Sequence, residues 1–155
     1  MRARVLLLAL ALGAPAAAVP PFALKALDGS TFRLGDHLGR SVIVLDFWAT
    51  WCGPCLRALR SLQDLAEAHP GVLVLAVSID DARSLARVQA TVKGRGYTFR
   101  VLLDPDSSVL RLFNPDGAVP ATLVIDRRGE IAYRRVGFIP GDERALEAKV
   151  RELAP

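Results

Sequence analysis

The 155-residue chain has two cysteines, both inside Trp48-Ala49-Thr50-Trp51-Cys52-Gly53-Pro54-Cys55. Thiols at this spacing can act as a structural staple, as half of a metal site, or as a disulfide that opens and closes. A four-residue disulfide loop constrains little of the unfolded chain, which weakens the first option. Structural zinc takes four ligands, whereas a lone C-x-x-C supplies two. His37 and His69 are distant in sequence, one in a polar loop and one at a helix end, so no metal site is expected. The third option agrees with the local pattern. Leu56, Leu59, Leu62 and Leu65 recur three apart, which predicts a helix from Cys52 to about Ala68. Two cysteines in a first helical turn can bring their Cα atoms within the roughly 4.4–6.8 Å that a disulfide needs. The helix N-terminus aims unpaired N–H groups and partial positive charge at Cys52, which favours its thiolate. Cys55 lies one turn in and deeper. The pair therefore divides into an attacking thiol, Cys52, and a resolving thiol, Cys55. Pro54 fits a first turn without losing a needed hydrogen bond.

Asp46 stands six residues before Cys52, inside the apolar run VIVLDF. Leu45 and Phe47 flank it, and the period-2 side it shares with Val44 and Trp48 is apolar, so its burial is expected. A buried carboxylic acid has a raised pKa and can exchange a proton near neutral pH.

The elements around these residues read as alternating strands and helices. Phe22 to Leu27 and Thr31 to Leu34 flank Asp28-Gly29 as a two-residue hairpin. Val42–Phe47 and Val72–Val77 are buried strands, and Pro70-Gly71 stops the helix between them. Asp81 to about Lys93 reads as a helix with Leu85 and Val88 inward, ended by Gly94 and Gly96. Asp80 or Asp81 caps it. Phe99–Leu103 is a short strand and Ser107–Phe113 a short helix. Ala121–Ile125 and Ile131–Val136 form a hairpin around Arg127-Arg128-Gly129. A last helix runs from Asp142, as its cap, to Leu153, with Leu146 and Val150 inward. This order predicts an α/β fold, a mixed sheet with helices on both faces, and the cysteines at the C-terminal edge of the first buried strand.

Composition bounds the rest. At 52% hydrophobic and 23% charged, the chain has the makings of one packed domain. Arg2 and Arg4, the apolar run Val5–Leu12 and Ala16-Ala17-Ala18 form a secretory signal pattern. The expectation is a signal peptide over 1–18 and a single domain over 19–155, exported to the periplasm or another extracytoplasmic space. An uncleaved membrane anchor is the alternative. Without Arg2 and Arg4 the charge is +2, from 18 basic and 16 acidic residues. No basic stripe with interleaved aromatics is present, so nucleic acid is not expected as a partner. Arg127-Arg128 and Arg134-Arg135 read as solvated charges on a turn and a strand face.

The segment LDFWATWCGPC resembles the active-site segment of the thioredoxin superfamily, in spacing and in residue types. The resemblance extends from about Phe22 to the last helix. It implies a thioredoxin-like three-layer fold, with a central mixed sheet flanked by helices. Val119-Pro120-Ala121-Thr122 resembles the superfamily's cis-proline segment. That implies a cis Pro120 facing the disulfide and a Val119 backbone that pairs with an extended client. Trp51, Gly53 and Pro54 complete the implied client-binding surface, and Asp46 is implied to exchange a proton with Cys55. The N-terminal hairpin and the insertion over residues 80–103, between the two halves, resemble the exported TlpA/ResA/DsbE branch, related to the AhpC/TSA and redoxin proteins. This branch implies reduction of disulfides in client proteins, in cytochrome c maturation or related periplasmic thiol reduction, and it makes Asp81, after the second core strand, a weaker candidate for an acid near the thiols. It also implies no cofactor, a membrane thiol-transfer reductant as partner, and a monomer. A peroxiredoxin-like thiol peroxidase is the first alternative. Ala49 stands against it, because peroxiredoxins carry Thr or Ser three residues before the peroxidatic cysteine. A metal-chaperone or binding module is the second.

Overall fold

A computed structural model describes residues 19–154, so the expected signal segment lies outside the described residues. The strands are β1 Ala23–Ala26, β2 Thr31–Arg33, β3 Ile43–Trp48, β4 Leu73–Ser78, β5 Arg100–Leu103, β6 Ala121–Ile125 and β7 Ile131–Val136. The helices are α1 Gly53–Ala68, α2 Leu85–Arg95, α3 Ser108–Phe113 and α4 Asp142–Leu153, with 3-10 turns at Leu34–Asp36 and Ala82–Ser84. Among the described residues the strands form one seven-stranded sheet, ordered β2-β1-β5-β4-β3-β6-β7. β3, β4 and β5 are parallel neighbours, while the pairings of β1, β2, β6 and β7 are antiparallel.

All six residues of β3 are buried, because both sheet faces are covered. Ile43, Leu45 and Phe47 pack with Leu110 and Phe113 of α3 and with Phe22 and Phe32 of the N-terminal hairpin. Val44 and Trp48 pack on the other face with Leu59 and Leu62 of α1, Val88 of α2 and Leu146 and Val150 of α4. Asp46 falls on this second face by alternation. The fold thus places the α1 cysteines and the β3 carboxyl on the same side of the sheet.

Four expectations need local correction. The first hairpin has a three-residue loop: the Gly29 N–H donates to the Ala26 carbonyl, the Ala26 N–H to the Ser30 carbonyl, and Gly29 takes φ +84°. That left-handed residue is why glycine stands there. Leu85 is exposed rather than inward, since it opens α2 at its outer end and Val88 alone is fully buried. Gly94 lies within α2, and Gly96, at φ +68°, is the residue that ends it. Asp142 is the first residue of α4 and not its cap, because Gly141 holds that position.

The register of β6 on β7 also changes along the hairpin. Ile125 faces Ile131, but Val124 faces Tyr133, so Ala132 is an extra residue and the strand bulges there.

Candidate active site

The site is built at the end of β3. Trp48 closes the strand, and its carbonyl accepts the N–H of Ile79 just beyond β4. The chain then turns through Ala49, Thr50 and Trp51, and the Cys52 N–H donates to the Ala49 carbonyl at 3.1 Å. Cys52 is the N-cap of α1 and Pro54 sits in its first turn. The Cys55 N–H donates to Cys52 Sγ at 3.2 Å. Cys52 and Cys55 form a disulfide with their Cα atoms 5.2 Å apart. The amide aimed at Cys52 Sγ, together with the dipole of the 16-residue α1, stabilises negative charge on this sulfur once it is reduced.

Access differs between the two sulfurs. Cys52 retains 6% exposure and Cys55 none, while Trp51 beside them is 66% exposed. Cys52 Sγ lies 3.8 Å from the Val119 carbonyl oxygen. The Val119–Pro120 peptide is cis. The Pro120 carbonyl accepts the N–H of Gly137, which ties this segment to the end of β7. The strand register Phe47–Ala121, continued by one residue, brings Pro120 level with Trp48. Gly53 stands at the solvent-facing start of α1, and a side chain there would come within 4.0 Å of the Arg57 guanidinium.

Asp46 is fully buried. Its Oδ1 accepts from the Thr122 hydroxyl at 2.7 Å, and its Oδ2 has no protein partner. Burial pushes the carboxyl up to about 7, against the lowering effects of the Thr122 bond and the Arg135 charge. A group that ionises there can both take and give a proton at physiological pH.

Sequence reasoning missed three members of this neighbourhood. Asp80 is buried and does not cap α2; Asp81 caps the 3-10 turn Ala82–Ser84 ahead of α2, accepting the Ser84 N–H at 3.0 Å, out on the surface. Asp80 instead accepts from the Thr50 N–H at 2.9 Å, the Thr50 hydroxyl at 2.5 Å and the Ser78 hydroxyl at 2.9 Å. It clamps the loop that presents Trp51 and Cys52. Thr122 and Arg135 are the other two. Arg135 is not a solvated surface charge, since its side chain is 12% exposed and its Nη2 donates to Thr122 Oγ1 at 3.2 Å. Arg127 and Arg128 are the exposed turn residues they were expected to be.

Asp80→Ala leaves three donors without their acceptor, two of them on Thr50. The expected cost is about 1–3 kcal/mol, read as a lower urea midpoint, and turnover falls because the loop carrying Cys52 loosens. Asp80→Asn, which keeps one acceptor oxygen, should recover part of both losses.

A strand-end disulfide at a helix N-terminus, one reachable sulfur, one enclosed sulfur and a buried acid on the same face define a thioredoxin-like thiol-disulfide oxidoreductase. The AhpC/TSA family model matches residues 15–134, and the chain belongs to that family. Thiol-disulfide oxidoreductase ResA of Geobacillus kaustophilus is 34% identical over 133 residues, which cover 83% of this chain and 74% of its own. Thioredoxin-like protein YneN of Bacillus subtilis is 34% identical over 129 residues, 80% of this chain and 72% of its own. Among solved structures, a chain assigned as thiol:disulfide interchange protein DsbE of Chlorobium tepidum superposes with a TM-score of 0.78. It is 32% identical, and the match covers 90% of this chain and 97% of that one.

Proposed function

We propose that this oxidoreductase is exported and reduces disulfides in client proteins, its own Cys52–Cys55 dithiol being oxidised in return. The observation that carries the proposal is the setting of Cys52, between exposed Trp51 and the Val119 carbonyl, with Cys55 enclosed behind it. In the reduced protein, the Cys52 thiolate attacks one client sulfur. The client S–S bond breaks, a mixed disulfide forms, and the departing client sulfur takes up a proton. Asp46 then accepts the Cys55 proton, and the Cys55 thiolate attacks Cys52 Sγ. The mixed bond breaks, the second client sulfur leaves as a thiolate and is protonated, and the protein disulfide is restored. Trp51, Gly53 and Pro54 form the contact surface, and the Val119 backbone, set by Pro120, receives an extended client strand.

Each cycle consumes two electrons and two protons. An exported reductant therefore needs a membrane thiol-transfer partner to recharge it. Gly53-Pro54 between the cysteines matches thioredoxin, whose potential is about −270 mV, and supports the reducing direction. The resemblance to the TlpA/ResA/DsbE branch supports a client among extracytoplasmic thiol pairs: a disulfide in an apo-cytochrome c, in another thiol protein or at a metal-site cysteine pair. The signal pattern over residues 1–18 supports export, by cleavage or as an anchor. Among the described residues no helix is long and apolar enough to cross a membrane.

The reduction potential tests the direction. Fluorescence of Trp48 and Trp51, read in glutathione and dithiothreitol buffers, should give about −250 mV or lower. A value above about −180 mV would make the protein an oxidant or isomerase.

A further inference from the structure

Three polar side chains form a row across the sheet face that α1 and α4 cover. Asp46 on β3 faces Thr122 on β6, and Thr122 faces Arg135 on β7. Directly paired antiparallel residues project to the same face, so the backbone register itself assembles the row. On the other side of Asp46, β4 offers only Ala76. The cysteine pair lies on α1 over the same face, and α4 contributes Asp142, whose Oδ2 is 3.4 Å from Arg135 Nη1. The Phe138 ring covers the guanidinium, 5.1 Å from its centre.

The direction of these hydrogen bonds follows from elementary donor counting. A guanidinium has no acceptor, so Arg135 must donate to Thr122 Oγ1. The Thr122 hydroxyl has one proton, and Asp46 Oδ1 is the acceptor within its reach. Oδ1 is then committed as an acceptor. The proton of the neutral acid belongs on Oδ2, the buried oxygen that has no protein partner.

We infer that Arg135 is a positioning residue for the buried acid: through the Thr122 hydroxyl it reserves Oδ2 of Asp46 for the Cys55 proton, and its charge holds the acid ready to ionise. The inference rests on the proposed proton exchange between Asp46 and Cys55. Asp142 and Phe138 hold the guanidinium in place, so the row runs from the buried acid to a partly buried ion pair at the start of α4.

The test is a ¹³C NMR titration of the Asp46 carboxyl in the intact oxidised chain, beside the pH profile of insulin-disulfide reduction. The unsubstituted protein should titrate near 7. R135M should move the midpoint up by about one pH unit, because a favourable charge and the oriented hydroxyl are both lost. Its turnover should fall severalfold at pH 7 and recover above the new midpoint. R135K keeps the charge and a donor, and should return the midpoint most of the way. T122V preserves shape but removes the bridging hydroxyl, so its midpoint should also rise. The inference is overturned if a folded R135M titrates as the unsubstituted protein does, or loses turnover by the same factor at every pH. It is equally overturned if T122V leaves the midpoint in place, whatever becomes of R135M. An Asp46 midpoint near 4 in the unsubstituted protein would sink the proton-exchange reading itself, a result distinct from failure of the Arg135 inference.

Discussion

Cys52→Ser should eliminate disulfide reduction, and Cys55→Ser should convert the protein into a trap that retains its client as a mixed disulfide. The asymmetry follows from access. Cys52 is the cysteine that keeps some exposure, beside Trp51 and the Val119 carbonyl, and it takes the helix N-terminal stabilisation that an attacking thiolate needs. Cys55 has no exposure and can attack only what is already bonded to Cys52. Insulin reduction should drop by about three orders of magnitude or more in both variants, since neither can complete the exchange. Mass spectrometry should find a stable client adduct with Cys55→Ser and none with Cys52→Ser. An adduct on both variants, or retained turnover in Cys52→Ser, would overturn the division of labour. Stability should change far less than activity. A loop closed over a sequence separation of 3 contributes about 2 kcal/mol in the chain-entropy picture.

The second large effect is a gain in stability at the expense of function. Asp46 ionises at about 7 in the fold against 3.8 as a free side chain, with burial the principal cause. The folded state therefore holds this proton more tightly than the unfolded state. Below about pH 4 the carboxyl is neutral in both states and adds no penalty. Between pH 4 and pH 7 the unfolded chain ionises first, so stability is lost as pH rises, and the loss levels off above pH 7. A displacement of this size corresponds to about 4 kcal/mol. Asp46→Asn removes the titration and keeps an oxygen for the Thr122 hydroxyl. In urea unfolding the variant should match the parent near pH 4 and exceed it by up to about 4 kcal/mol at pH 8. Its turnover should fall about 100-fold near neutral pH, as expected when a proton acceptor is deleted. A variant no more stable than the parent at pH 8 would place the carboxylate in a solvated or well-paired setting, and the proton-exchange role would go with it.

Much of the site could be read from local sequence. C-x-x-C at the head of a leucine-patterned run defines one helix start, and helical geometry alone makes one thiol outer and one inner. The burial of Asp46 follows from alternation along six residues of β3, whose even positions point at α1 and whose odd positions point at α3 and the hairpin. The seven strands and three of the four helices fall within a residue of their expected ends for the same reason, whereas α2 starts at Leu85, four residues after the expected Asp81. Periodicity, turn residues and caps act over a few residues, and these signals are contained in the chain itself.

The groups that missed recognition act across distance. Asp80 grips Thr50 across 30 residues, and nothing near Asp80 distinguishes it from the capping Asp81. Asp46 meets Thr122 across 76 residues. The clearest case is the arginine pair. Counting outward from the Arg127-Arg128-Gly129 turn without interruption sets Arg134 opposite Thr122 and sends Arg135 to the other face. The bulge at Ala132 shifts the register by one, so Arg135 joins the acid and Arg134 reaches the Phe113 carbonyl on the α3 side. A one-residue slip exchanges the two faces of a strand. The thiol pair, its helix and the buried acid are each specified by their immediate neighbours in the chain, and so were legible there. Which carboxylate clamps the active-site loop and which arginine lies beside the acid depend on strand register and long-range packing, and these emerge with the folded chain.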